Sequence, residues 1–337
     1  MTSPTCAAPA RAGRLRTTSL ATLTRPVRAL RHALARAAAP WIPAPPLLAW
    51  RFRRAHGHLP NLLAPHTLNE KVLCRILFER DPRLTVMADK LLVRDFVQDR
   101  VGGAILPRLL WSGDDPAAIP FDSLPDRFVV KPTHGSGWVE VVRDSASLER
   151  EALVATCRRW LSQDYYARTR EWGYKRAGRR ILVEELIDDG TGSAPTDYKL
   201  FVFGGTTRFI LVTMGRFAER AHVVVRPDWS LIDVTFDYSA LRRHVPPPPH
   251  LAEMIAAADR LGRDLGFVRV DLYDTPDRLI FGEMTMTPGG SLDRLDPPAF
   301  DRSFGALWTA PALLHPAPSA KVAALLARAL TGQSRAA

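Results

Sequence analysis

The stretch 267–290 reads Phe-Val-Arg-Val-Asp-Leu-Tyr, a turn, and then Leu-Ile-Phe-Gly-Glu-Met-Thr-Met-Thr-Pro-Gly-Gly. Alternation along a strand puts Arg269, Asp271 and Tyr273 on one face and Val268, Val270 and Leu272 on the other. Glu283 and Thr285 share a face of the next strand. If the two strands are antiparallel neighbours, Asp271 and Glu283 converge. Two adjacent carboxylates repel, and a divalent cation removes that penalty; oxygen ligands suit Mg²⁺, which is usually held by one or two carboxylates plus substrate phosphates. The alternative is a structural ion-pair network of Arg269, Asp271 and Glu283. A second group is Arg-Phe-Val-Val-Lys-Pro-Thr-His-Gly-Ser-Gly at 127–137. Here a lysine ends an apolar strand before a glycine-containing loop. Lys131 can set a charge on a phosphate while loop amides donate to its oxygens; the alternative is a surface lysine beside a turn. No Gly-x-x-x-x-Gly-Lys-Ser/Thr loop occurs. Lys90, in Ala-Asp-Lys 88–90, is read near the start of a helix. A cation gains nothing from the dipole there, unless a phosphate is near. Ile-Leu-Val-Glu-Glu-Leu-Ile, 181–187, is an apolar strand interrupted by two acids, suited to a purine's edge and face. Asp197 and Lys199 share a face at the start of another strand.

These residues need a scaffold. Thr67-Leu-Asn-Glu70 is a capping box opening a helix with Val72, Leu73, Ile76 and Leu77 on its apolar face. Further helices are expected at 87–100, 147–161 and 251–265. Strands are expected at 104–110, 127–131, 139–143, 181–186, 198–203, 207–213, 222–225, 268–273 and 279–284. Gly204-Gly205 supplies a hairpin turn. Helices and strands mix without a strict βαβ repeat, which favours α+β. The run 40–46 (PWIPAPP) is read as a semi-rigid linker. The aromatic group Tyr165, Tyr166, Trp172 and Tyr174 is read as core packing, as a loop over a cleft, or as a sugar-stacking surface. His56 and His58 are a weak metal pair with no third ligand near in sequence.

The chain has 337 residues, 46% of them hydrophobic, enough for two or three domains at roughly 100–200 residues each and too apolar for wholesale disorder. Its three cysteines, Cys6, Cys74 and Cys157, form no Cys-x-x-Cys pair, which points to a reducing cytosol. The net charge of +11 is unevenly placed. Residues 1–69 hold ten arginines, no lysine and no acid, and the remaining 268 carry 36 basic and 35 acidic groups. A near-neutral body therefore follows a basic arm. No base-reading motif accompanies that arm, so the charge is not evidence for nucleic-acid binding by the body. Within the arm, 1–25 is read as disordered and 26–38 as a helix with Leu30 and Leu34 among arginines. That helix is either a basic surface element resting on anionic lipid or a weakly ordered arm. The composition also matches an organelle transit peptide, and arginines in every apolar run argue against a cleaved signal peptide.

In this order the five motifs resemble the ATP-grasp superfamily, most sharply at Arg269-Val-Asp271 and Glu283-Met-Thr285-Met-Thr-Pro288-Gly289, where Thr285 replaces the usual asparagine. The likeness is nearest to the TupA-like branch, associated with teichuronopeptide and other surface-polysaccharide synthesis. It rests on Thr67-Leu-Asn-Glu-Lys71, Ala88-Asp-Lys90 with Val93-Arg94, Leu124-Pro125, Val130-Lys131, His134-Gly-Ser-Gly137, Asp197-Tyr-Lys199 and Phe267-Val-Arg-Val-Asp271, over about 60–310. The resemblance implies an α+β ATP-grasp fold with ATP held between two lobes. The implied parts are an arm (1–58), an N-terminal subdomain (59–120), lobe A (121–187), lobe B with the metal site (188–312), and a C-terminal helix and tail (313–337). It implies that Lys90 and Lys131 contact ATP phosphates, with the loop His134, Gly135, Ser136 and Gly137 closing over them. Glu184, Glu185, Leu186 and Ile187 would meet adenine, and Asp197 and Lys199 would lie near ribose or phosphate. Asp271 and Glu283 would hold Mg²⁺ with Thr285 as a third ligand, and Arg269 would face the reacting charge.

The implied activity is a cytoplasmic carboxylate–amine ligation through an acyl phosphate, on a uronic acid, amino sugar or amino acid of a cell-surface glycan. The arm lies outside the resemblance; on the lipid reading of its basic helix it contacts the inner face of an anionic membrane. Two other readings use the same residues. A phosphotransferase would pass the phosphate to a sugar or polyol hydroxyl, and a non-catalytic scaffold would only bind nucleotide.

Overall fold

The computed structural model describes residues 42–188, 195–215, 221–236, 239–240 and 245–309. The expected disorder at 1–25, the helix at 26–38, Cys6 and the C-terminal helix and tail at 313–337 lie outside the described residues.

Two sheets, antiparallel except for one short parallel pairing at the edge of the larger, carry the site. The smaller sheet contains β1 (Leu109–Gly113), β2 (Phe128–Pro132), β3 (Glu140–Val142) and β4 (Ile181–Glu185), in the order β1-β4-β2-β3. Its alternation separates two jobs. Phe128, Val130, Ile181 and Val183 pack with Leu153, Cys157 and Trp160 of helix Arg150–Ser162. Val129, Lys131 and Glu184 face the other way, and the register sets Val129 directly opposite Glu184.

The larger sheet runs β10-β7-β6-β5-β11-β12. Its strands are β5 (Asp197–Phe203), β6 (Thr206–Met214), β7 (Ala221–Val225), β8 (Leu231–Ile232, pairing with β7), β10 (Ser239–Ala240), β11 (Phe267–Asp274) and β12 (Leu279–Thr285). A small pair, β9 (Thr235–Phe236) with β13 (Leu295–Asp296), forms a third sheet that packs against the larger one, the Phe236 amide donating to His222 of β7. Each face of the larger sheet has its own core. On one, Leu200, Val202, Val268, Val270 and Leu272 pack with Met254, Ala258 and Leu261 of helix Leu251–Gly262. On the other, Phe201, Phe203, Phe209 and Phe267 meet Val72, Leu73 and Ile76 of helix Leu68–Phe78 and Phe304 of helix Ala299–Ala306. The capping box at Thr67 and Glu70 is formed as expected.

The register of β11 on β12 contains a bulge that decides the site. Asp271 pairs with Glu283, but Leu272 pairs with Phe281, leaving Gly282 extra. An added Cβ at Gly282 would meet Tyr273 Cε2 at 2.9 Å and the Asp271 carbonyl at 3.0 Å, so only glycine fits without displacement. Before the bulge Leu279 and Phe281 face the core, and after it Met284 and Met286 do. The shift is what leaves Glu283 on the same side as Asp271.

Several boundaries differ from expectation. The arm ends earlier than residue 58: Ala44–His56 is a helix, α1, with Leu47, Leu48 and Phe52 buried. Its prolines, Pro45 and Pro46, fall in the first turn, where a missing N–H costs nothing, so the 40–46 run is only partly linker. The expected helix at 87–100 is two, α3 (Arg83–Ala88) and α4 (Leu92–Val101), numbered after α2 (Leu68–Phe78). The expected strand at 104–110 begins at Leu109, because Gly103–Ile105 forms a 3₁₀ turn first. The 59–120 stretch is also shared out: α2, α3 and α4 pack on the larger sheet, whereas β1 pairs with β4 of the smaller one.

Candidate nucleotide and metal site

A cavity of about 400 Å³ opens between the two sheets. From the smaller sheet it is lined by Val129, Lys131, Val141, Glu184 and Glu185, continuing into Leu186 and Ile187. From the larger it is lined by Asp197, Lys199, Arg269, Asp271 and Glu283; Lys90, Ser136, Gly137 and Trp138 close one side.

On the larger sheet a single guanidinium joins both carboxylates. Arg269 Nε donates to Asp271 Oδ1 at 2.6 Å, and Nη2 donates to Asp271 Oδ2 and to Glu283 Oε1, each at 2.7 Å. Lys199 Nζ lies 2.9 Å from Asp271 Oδ2 and also pairs with Asp197. Burial works against the charge on the Arg269 guanidinium, yet Asp271 and Glu283 beside it raise its pKa above the ordinary arginine value. Burial pushes the Glu283 carboxyl up, but Arg269, Lys199 and Lys90 outweigh it and hold the group at about 2. Thr285 Oγ1 donates to Glu283 Oε1 at 3.0 Å and accepts from Arg269 Nη2 at 3.1 Å. Its hydroxyl thus orients Glu283.

Among the described residues no group of three or more His, Cys, Asp or Glu is arranged around one point, and His56 and His58 each turn to a backbone carbonyl, of Ser291 and Leu59. The donor set that does exist is two carboxylates meeting at one nitrogen. That fits Mg²⁺, which completes its shell with water and phosphate oxygens. It does not fit a metal needing a full protein cage.

On the facing sheet, Lys131 Nζ lies 2.5 Å from Glu184 Oε2, while Arg94 Nη1 donates to Glu184 Oε1 at 2.7 Å. Glu184 is therefore committed to two cations. Glu185 points to the rim, accepting from the Arg108 amide at 2.8 Å and from Arg278 Nη2 at 2.6 Å. Lys90 sits between α3 and α4. Asp89 fixes that turn, accepting from the Leu91 amide at 2.9 Å and the Gly178 amide at 2.9 Å. The Lys90 ammonium donates to the Gly135 carbonyl, and burial pushes its pKa down to about 8.

The loop after β2 is only partly turned to the cavity. Ser136 and Gly137 line it, whereas the His134 ring is buried, with Nε2 3.1 Å from the Trp160 carbonyl and in a T-shaped contact with Trp138. A Cβ at Gly135 would strike the Trp138 ring at 2.5 Å. The loop is braced from behind by Tyr165, which hydrogen-bonds Ser136 and packs at a tilt of 60° against Tyr174 with ring centroids 4.5 Å apart. The aromatic group is thus wall and brace.

Sequence reasoning passed over Glu171. Its carboxylate accepts from Thr287 Oγ1, two residues past Thr285, and burial pushes its pKa up to about 7. A carboxyl raised in the folded state contributes stability that is present below about pH 4.3, its unfolded value, and is lost as pH rises through 7. Glu171→Gln is expected to remove that slope, making the variant about 1–2 kcal/mol less pH-sensitive than the parent between pH 5 and 8. Urea unfolding at both pH values measures it; parallel slopes would refute it.

Two largely antiparallel sheets with paired carboxylates on one and a lysine on the other, across a shared cleft, define the ATP-grasp architecture. The family model for TupA-like ATP-grasp proteins matches residues 70–309, and the chain belongs to that family. Several solved structures are similar to the chain at low identity. D-alanine–D-alanine ligase from Bacillus anthracis complexed with ATP is 14% identical over 60% of this chain and 55% of that one, with a TM-score of 0.37. The ATP-grasp ligase PsnB complexed with minimal precursor is 16% identical over 73% and 62%, with a TM-score of 0.36. The ADP complex of purK, N5-carboxyaminoimidazole ribonucleotide synthetase, is 12% identical over 62% and 47%, with a TM-score of 0.38. The chain thus spans less than two thirds of the length of these proteins. No curated protein matches it. Among the described residues no helix is long and apolar enough to cross a membrane.

Proposed function

We propose that the protein is an ATP- and Mg²⁺-dependent carboxylate–amine ligase acting in the cytoplasm on a carboxylate and an amine of a cell-surface polysaccharide or its precursors. The observation that carries this is the bulge-made pair Asp271 and Glu283, joined by Arg269 and facing Lys131 and Lys90 across one cavity. Asp271 and Glu283 would hold Mg²⁺, which when bound neutralises phosphate charge. Lys90 and Lys131 would bind the phosphates, with the Ser136 and Gly137 amides. Glu184, Glu185, Leu186 and Ile187 would receive adenine at the end of β4, and Asp197 with Lys199 would order the ribose side.

The acceptor carboxylate attacks the γ-phosphorus and the bond to the β-phosphate oxygen breaks, giving acyl phosphate and ADP. Both reactants are anions, so Lys90, Lys131 and Arg269 lower the barrier by stabilising charge spread over the transferring oxygens. An amine then attacks the acyl carbon, phosphate leaves, and the nitrogen loses a proton. Arg269 stabilises the oxyanion in that step.

Product analysis tests the proposal. ADP, free phosphate and an amide from a uronic acid with an amino sugar or amino acid are expected. ADP with a phosphorylated sugar or polyol would replace the ligase by a phosphotransferase, and a folded chain that binds no ATP would leave a scaffold. Lys90 adds a pH signature. Its ammonium is charged below about 8 and neutral above, so ATP affinity should fall as pH rises through 8, with net proton uptake on binding near that pH. Calorimetry in buffers of different ionisation enthalpy reads the uptake; none at pH 8 would remove Lys90 from the phosphate site.

A further inference from the structure

Helix α1 has an inner and an outer face. Leu47, Leu48 and Phe52 are buried, while Pro45, Pro46, Trp50, Arg53 and Arg54 are exposed. Trp50 leaves 48% of its surface to solvent, with the Arg54 guanidinium 5.1 Å from its ring centroid. The segment leaving the helix adds Leu59 and Leu63, 63% and 100% exposed. No acidic residue occurs before Glu70, and the 41 residues ahead of Ile42 contribute seven more arginines.

This helix is also fixed to the body. Phe52 is part of the core under the larger sheet, and His56 Nε2 lies 2.9 Å from the Ser291 carbonyl, just beyond β12. Arg51 Nη1 donates to the Arg168 carbonyl at 2.9 Å, in the segment that braces the Ser136 loop.

An exposed indole among arginines, followed by bare leucines and no acid, matches the headgroup layer of an anionic bilayer. The indole suits the interface, guanidiniums suit lipid phosphates, and leucines suit the acyl boundary. A nucleic acid would use the arginines and leave the leucines in water. We infer that the outer face of α1, with the 59–63 segment, docks the protein on an anionic lipid surface. Because α1 is tied to Ser291 and Arg168, docking sets the nucleotide cavity at a fixed orientation to that surface. This inference does not rest on the ligase reading.

The test is co-sedimentation of the full chain with vesicles of phosphatidylcholine alone and of equal parts phosphatidylcholine and phosphatidylglycerol. Binding to the anionic vesicles only is expected. Each basic residue at such a surface contributes roughly fivefold in affinity, so Arg53→Glu with Arg54→Glu should weaken binding about 25-fold or more. Trp50→Ala should weaken it further at high salt, and quenching of tryptophan fluorescence by brominated lipid should drop in Trp50→Phe. All three side chains are exposed, so folding is preserved and checked by circular dichroism. Unchanged vesicle binding in both α1 variants would overturn the inference by leaving the preceding arm to act alone. Binding to heparin as tight as to vesicles, insensitive to Trp50→Ala, would overturn it in favour of a polyanion contact.

Discussion

Asp271→Asn combined with Glu283→Gln is expected to abolish Mg²⁺-dependent ATP binding while leaving a folded chain. The two carboxylates supply all the anionic charge that Arg269 Nη2 touches, and they face the lysines across the cavity. Partners that merely orient metal ligands are worth about 10–100-fold, so losing both carboxylates should exceed roughly 100-fold. Calorimetry with and without Mg²⁺ separates the metal from the nucleotide: residual metal-free ATP binding through Lys90 and Lys131 should survive. Glu283→Gln alone, whose side chain is 40% exposed, keeps the Asp271–Arg269 pair and guards against misreading an unfolded double variant. Mg²⁺-dependent affinity within threefold of the parent would place the metal elsewhere.

Arg269→Ala should be the most destabilising single change in the site. It leaves Asp271, buried, and Glu283 facing each other without the cation between them. Removing one partner of a buried ion pair costs about 3–5 kcal/mol, less here for the share of Glu283 that reaches solvent. Millimolar Mg²⁺ should restore more stability to the variant than it adds to the parent, because a divalent ion can take the place of the guanidinium. The pH dependence has a definite sign. Glu283 at about 2 in the folded chain contributes stability that is complete above its unfolded value, about 4.3, and lost as pH falls towards 2. The gap between parent and variant should therefore narrow on acidification, since protonation removes the repulsion that only the variant suffers. Urea unfolding at pH 7 and pH 3 measures this; a loss under 1 kcal/mol at pH 7 without Mg²⁺ would refute the argument.

Much of this site is visible in residue order. Period-two alternation is enough to set Arg269 and Asp271 on one face, because β11 keeps regular pairing to β5 along its length. Glu283 is different: strict alternation from Phe281 would carry it into the core, and only three-dimensional pairing exposes the extra residue at Gly282. Lys90 is recognisable by type but not by setting, since the turn between α3 and α4 depends on Asp89 accepting from Gly178, far along the chain. Glu171 gives no signal at all, because its partner Thr287 is 116 residues away. Prolines misread as linker hid α1, whose stability comes from burying Leu47, Leu48 and Phe52 and not from local propensity.

The bulge at Gly282 also makes strand length a heritable constraint. Upstream, the core takes the odd-numbered Leu279 and Phe281; downstream it takes the even-numbered Met284 and Met286. Loss of the Gly282 codon would restore strict alternation with Phe281 still opposite Leu272 and Glu283 still opposite Asp271. Loss of the Met284 codon would instead turn Thr285 towards the core and away from Glu283. The strand can therefore shorten at its bulge and not beyond it.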